Sequence, residues 1–232
     1  MKTKKMMAAM LAVLALGASL AYADNVPNNE VFAGAYFLSF DTKVSPPGLS
    51  GPYTVPGLDA KLDNVTTLYL AYIRRISPSF DVELAFGYPP TTKTIGQGPT
   101  TVGSVPYNGV ELITVKWLSP TLLFEYKFLD DSYPLRPYIG VGVNHTTFYD
   151  RNVTAGGDAV TGGPTRLELT PSTGIAGTAG LSYRMKDNWY AHASYSLANI
   201  HTNAQAYTAG VERTAHINFG PRAIVVAIGY SF

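Results

Sequence analysis

The chain's 232 residues are enough for one large domain or two small ones, and a formal charge of +1 with 14% charged residues gives no electrostatic footing for nucleic acid. It has no cysteine, which removes disulfide frameworks, thiolate chemistry and cysteine-based zinc sites together. After the first 23 residues no run of about 18 apolar residues occurs, so a transmembrane helix is excluded.

The chain opens with a basic head (Lys2, Lys4, Lys5), an uncharged stretch from Met6 to Leu20, and Ala21-Tyr22-Ala23 as an A-x-A cleavage site. This predicts a secretory signal peptide over 1–23, with residues 24–232 as the mature protein from Asp24. Removing three lysines and no acid takes the formal charge from +1 to −2.

From there apolar residues are frequent but interleaved, with the period of two that places alternate side chains on opposite faces of a strand. In strand one, Phe32, Gly34, Tyr36, Leu38 and Phe40 are predicted to face lipid, with Ala33, Ala35 and Ser39 inside. Strand two sets Leu68, Leu70 and Tyr72 outside against Thr67, Tyr69 and Ala71. After Ser77-Pro78-Ser79, strand three opposes Val82, Leu84, Phe86 and Tyr88 to Asp81, Glu83, Ala85 and Gly87. Strand four opposes Leu122, Phe124, Tyr126 and Phe128 to Leu123, Glu125 and Lys127.

A turn at Asp130-Asp131-Ser132 leads to strand five, with Ile139, Val141 and Val143 out and Tyr138, Gly140, Gly142 and Asn144 in. Strand six has Ile175, Ala179, Leu181 and Tyr183 out, against Ala176, Thr178, Gly180 and Ser182. A turn at Met185-Lys186-Asp187-Asn188 gives strand seven, with Trp189, Ala191, Ala193, Tyr195 and Leu197 opposing Tyr190, His192, Ser194 and Ser196. In strand eight Ile224, Val226, Ile228, Tyr230 and Phe232 alternate with Ala223, Val225, Ala227, Gly229 and Ser231. The terminal Tyr230 and Phe232 are similar to the C-terminal signal by which the barrel-assembly machinery recognises outer-membrane proteins.

The connections alternate in length. Those after strands two, four and six are tight; those after one, three, five and seven span about Asp41–Lys61, Pro90–Val110, Asp150–Arg166 and Thr202–Ala215 and read as Gly-, Pro- and Thr-rich loops. Short turns on one side and long loops on the other predict an all-β, eight-stranded antiparallel transmembrane barrel of the bacterial outer membrane, in contact with lipid and lipopolysaccharide. Closure removes the sheet edges that an open sheet could not hydrogen-bond in lipid.

Several segments match a known family. Arg136-Pro137-Tyr138-Ile139-Gly140-Val141-Gly142-Val143-Asn144 followed by Thr146-Thr147-Phe148-Tyr149-Asp150, together with Asp81-Val82-Glu83-Leu84, Leu118-Ser119-Pro120-Thr121-Leu122, the Gly177 to Tyr183 stretch and Gly229-Tyr230-Ser231-Phe232, resembles the OmpW family. The resemblance implies a narrow hydrophobic channel through which small apolar molecules pass the lipopolysaccharide leaflet and leave sideways through a gap in the wall.

Eight strands leave room for side chains or one small ligand, so a water-filled pore is not expected. Asp81, Glu83, Glu125, Lys127 and Arg136 are placed inward near the short turns, as a paired charge plug or, alternatively, an ion path or catalytic carboxylate pair. Pro89-Pro90 lacks ladder donors and marks either the end of strand three or a lateral gate, the family having a comparable proline near this point. Phe37, Tyr69 and Phe148, with Ala33, Ala35, Ala176 and Ser194, are candidate channel-lining residues; the aromatics belong alternatively to the interfacial girdles.

His145, His192, His201 and His216 have no metal-ligand spacing along the chain and read as surface or lumen residues, so no metal and no cofactor are expected. No Ser/His/Asp set sits in a nucleophile context, and the protein is not expected to be an enzyme. Two functions stay open: a conduit for small apolar molecules, and a structural, adhesion or stress-linked surface barrel with a packed interior. The many inward Ala, Gly and Ser residues favour a cavity.

Overall fold

The computed structural model describes residues 28–50 and 57–232, with the side chains of 45–50 left aside. The predicted signal peptide lies outside the described residues. Eight strands form a closed antiparallel ring: β1 (Asn29–Phe40), β4 (Val65–Ser77), β5 (Phe80–Gly87), β10 (Thr121–Lys127), β11 (Leu135–Val153), β13 (Ser172–Arg184), β14 (Trp189–Ala198) and β17 (Pro221–Ser231). Each pairs with the next, and β1 meets β17 over the register Glu30↔Ser231 to Phe40↔Pro221. Phe232 exchanges backbone hydrogen bonds with Asn29, so the final residue is stitched to the first strand.

The short turns are tightly specified. Asp187 and Asn188 both take positive φ (55° and 64°), and the Trp189 amide donates to the Lys186 carbonyl. That is the I′ geometry that matches the twist of a two-residue hairpin, and short polar residues adopt it most readily. At the β10–β11 turn the Ser132 amide and hydroxyl both donate to Asp130 Oδ1.

The outward faces of seven ring strands are those predicted. Leu122, Phe124, Ile139, Val141, Ile175, Leu181, Leu197, Ile224, Val226 and Ile228 are exposed, while Glu125, Tyr138, Val225 and Ala227 are buried. Strand one is inverted. Phe32 and Leu38 are buried in the lumen, and Val31, Ala33 and Phe37 are exposed. Ala33 pairs with Ile228, Ala35 with Val226 and Phe37 with Ile224, and directly paired residues share a face, so all three point to lipid. The segment Val31–Phe40 is apolar on both faces, so size alone chose the wrong one; pairing to β17 decides it.

Much of the long connections is strand rather than irregular loop. Above the ring they continue as β2 (Lys43–Ser50), β3 (Asp59–Leu62), β6 (Thr91–Gln97), β9 (Glu111–Leu118), β12 (Thr165–Leu169), β15 (His201–Thr208) and β16 (Val211–Asn218), with a small β7–β8 hairpin (Thr101–Val102, Val105–Pro106). They form two walls. One is β3-β6-β9 joined to the upper part of β11; the other is β12-β15-β16-β2. Among the described residues no ladder joins β2 to β3 or β11 to β12. The short helix α1 (Ala155–Thr161) stands at the second seam, capped by Thr154 and packed through Gly157 against Leu112.

Candidate functional site: an apolar vestibule over a closed lumen floor

The two walls enclose an apolar vestibule of about 160 Å³. Its sides are built from Leu58, Tyr107, Leu112, Leu167, Ala204 and Ile217, and its floor from Phe40, Trp117, Phe148 and Phe219. Phe40 meets Trp117 edge-on at 6.3 Å and Phe148 meets Phe219 at 5.5 Å, separations typical of attractive ring pairs. An apolar cavity of about 150 Å³ stays dry and admits a benzene-sized guest. The Tyr107 hydroxyl donates to the Asp59 carbonyl at 2.7 Å, and burial pushes this phenol up to about 12.

Below, Leu38, Trp117 and Ala223 form a neck, with Tyr36 and Phe148 packed against them. A second cavity of about 50 Å³ follows, lined by Tyr69, Glu83, Trp117, Ala176, Asn144 and Ser194 among others. Beneath it the lumen is filled. Tyr138 lies over Gly180, where an added Cβ would come within 2.5 Å of the phenol oxygen, and Phe32 lies over its partner Gly229, where an added Cβ would come within 2.4 Å of the ring. The small inward residues of the lower barrel therefore make room for rings facing them rather than for a channel. Tyr138 and His192 share a 2.6 Å hydrogen bond, and Tyr69 donates to Glu83 at 2.5 Å.

The floor is ionic. Lys127 pairs with Asp81, both almost fully buried, and Glu30, Glu83 and Glu125 are buried in the same lumen. Glu125 lies against the Glu83 carboxyl, and one oxygen of Glu30 has no hydrogen-bond partner. Arg136, also inward, binds elsewhere: it donates to the carbonyls of Pro78, Phe128 and Leu129 and pairs with Asp131 at 2.5 Å, clamping two short turns.

Pro89 and Pro90 lie where the strand ladder of the wall is interrupted. The β5–β10 ladder ends at Ala85↔Thr121 and the β6–β9 ladder starts at Thr91↔Lys116. Between these pairs, Phe86–Pro90 and Trp117–Pro120 share no ladder, and three prolines in the two segments lack a donor. The break is one-sided. Tyr88 still donates its amide to the Leu68 carbonyl at 2.8 Å and accepts from Thr67 Oγ1 at 2.7 Å. Across the break, Ser119 is held to β11 by Thr146 at 2.6 Å and Asn144 at 2.8 Å. Trp117, Ser119 and Thr121 line the lower cavity at this height.

Of the candidate lining residues, Tyr69, Ala176 and Ser194 thus meet the lower cavity and Phe148 the vestibule, while Phe37, Ala33 and Ala35 lie on the lipid face. Trp117 and Phe219 lie between the predicted strands and loops and carry no prediction, and Phe40, predicted to face lipid, turns inward with the rest of β1; the alternation of Val115 and Trp117 around Lys116 was the available signal for Trp117.

A closed eight-stranded barrel with an apolar outer belt, tight turns at one end and tall strand extensions at the other defines an outer-membrane β-barrel protein. The chain belongs to the OmpW family, whose model matches residues 39–232. It is 30% identical over 230 residues to outer membrane protein W of Salmonella typhi, covering 99% of this chain and all of that one. It is 27% identical over 183 residues to the dibenzothiophene metabolism operon protein PahQ of Pseudomonas aeruginosa, covering 77% of each. Among solved structures, OprG of Pseudomonas aeruginosa superposes with a TM-score of 0.78 at 22% identity, over 89% of this chain and 97% of that one. AlkL, solved in DMPC bilayers, gives 0.65 at 20% identity, over 92% and 94%. These two likenesses concern the fold.

Proposed function

We propose that the protein is a passive conduit for small hydrophobic molecules, which enter the apolar vestibule from outside and leave sideways into the outer leaflet at the Pro89–Pro90 break. The observation that carries this reading is the juxtaposition of an apolar chamber, an ionic floor and a break in the strand ladder between them. A solute crossing the polar lipopolysaccharide zone finds apolar walls in the vestibule, and burial there returns about 25 cal/mol per Å² of apolar surface. The packed rings and ionic floor oppose onward movement to the periplasm, since an apolar solute gains nothing by displacing paired charges. Lipid is the favourable exit. A relative named for a dibenzothiophene metabolism operon suits a small aromatic cargo.

The packed lower lumen favours a second reading, a structural or surface-adhesion barrel in which the vestibule is only a rigid stalk. Uptake separates the two. Cells carrying the barrel should take up naphthalene faster than cells without it, and Ala204→Trp, which fills the vestibule, should abolish the gain. Equal uptake in all three would leave the structural barrel as the better account.

A further inference from the structure

Pairing in the extracellular wall brings together two histidines that are distant in the chain. His201 lies opposite Asn218 and His216 opposite Asn203, so the histidines are diagonal neighbours on β15 and β16. Thr202, Ala204 and Ala215 of these strands are buried inward, which puts His201 and His216 together on the outer face, His216 exposed and His201 half-buried. Their ring centroids are 5.7 Å apart, with the planes inclined by 38°. They stand above Leu197 and Ile224, the upper members of the exposed apolar belt on their own hairpin.

One ring is already oriented. His216 Nδ1 lies 2.8 Å from Asn203 Oδ1, an atom that only accepts. Nδ1 therefore carries the proton, and the lone pair is left on Nε2. A ligating histidine is commonly held this way, its second nitrogen donating to a neighbouring oxygen.

We propose that His201 and His216 form a surface site for a borderline divalent transition cation, Zn²⁺, Ni²⁺ or Cu²⁺. Imidazole nitrogen suits these ions, whereas Ca²⁺ and Mg²⁺ prefer oxygen ligands. With a cation about 2.0–2.1 Å from each nitrogen, tetrahedral chelation sets the ring centroids about 5 Å apart. The observed centroid separation is 5.7 Å. Water completes the coordination at an exposed position, and no buried charge has to be compensated. The chain spacing hides the pair because the ligands meet across a hairpin. His145, whose Nδ1 bonds to Thr173 Oγ1 at 2.7 Å, lies on another strand and serves as a control.

The test is calorimetric titration of the untagged barrel in detergent micelles with zinc chloride. The native protein should bind one Zn²⁺, excess Ca²⁺ should not displace it, and either His201→Ala or His216→Ala should abolish binding. His145→Ala should change nothing, and Asn203→Ala should weaken binding about 10- to 100-fold. Saturable binding that survives in the His201→Ala or His216→Ala variant, or no saturable binding in the native protein, would overturn the site. A second measurement needs no variant: Cu²⁺ should selectively broaden the ring-proton resonances of His201 and His216, and uniform broadening of all four histidines would contradict it.

Discussion

Replacing Lys127 with methionine removes the ammonium that pairs with Asp81 while keeping most of the side-chain volume. Lys127 and Asp81 have side-chain exposures of 3% and 1%, so water cannot take over the lost contact. Breaking a buried pair by removing one partner costs about 3–5 kcal/mol, because the surviving charge stays buried and uncompensated. Glu30 lies buried in the same lumen with Lys127 as its main countercharge and one oxygen that makes no hydrogen bond, so Lys127→Met deprives more than Asp81 of a partner. The expected loss is therefore near the top of that range. Asp81→Asn removes the opposite partner, and in the double variant neither partner is stranded; the two losses should overlap by about 2 kcal/mol, well beyond the ~0.5 kcal/mol scatter of independent sites. The assay is equilibrium urea unfolding of the four proteins in micelles, followed by tryptophan fluorescence. Losses that simply add would refute the paired floor, and a Lys127→Met protein as stable as the native one would refute the burial argument itself.

Three further outcomes follow from named contacts. Phe32→Ala should cost about 3–5 kcal/mol as a lumen cavity, whereas Phe37→Ala, on the lipid face, should cost far less; equal losses in urea unfolding would contradict the assigned faces of β1. Gly229→Ala sets a Cβ against the Phe32 ring and should cost about 1–3 kcal/mol, an effect that Phe32→Leu in the same chain relieves. In the β10–β11 turn, hydrogen bonds from the Ser132 side chain and backbone hold Asp130 below the ordinary carboxylate value. Its folded value is depressed, so its contribution to stability is present above the unfolded value of about 3.9 and is lost as pH falls through the folded one. Ser132→Ala should raise the Asp130 midpoint in an NMR titration; an unchanged midpoint would remove the cause given.

The ring was legible in the sequence wherever one face was large and apolar and the other small or polar, as in Ile224 to Phe232 or Leu122 to Lys127. It was not legible in Val31–Phe40, where both faces are apolar and only the register with β17 separates them. The upper walls were hidden for a related reason. His201–Thr208 alternates Thr202, Ala204, Ala206 and Thr208 inward with polar residues outward, but the inward set is too small to read as a hydrophobic face. The vestibule lies between two sheets whose pairings join distant segments, so its lining is a property of register and not of any one stretch. The inward charges and the two prolines were visible in the sequence; the wall break that flanks the prolines became visible only with the ladders on both sides.

The claim of sideways exit is tested most directly by giving the break its missing donors. A Pro89→Val/Pro90→Val barrel that still shows the heat-dependent gel mobility of a folded barrel should bind naphthalene in the vestibule as the native protein does. Its rate of naphthalene uptake into cells should nevertheless fall to that of cells lacking the protein. Uptake at the native rate through a folded Pro89→Val/Pro90→Val barrel would contradict the lateral route.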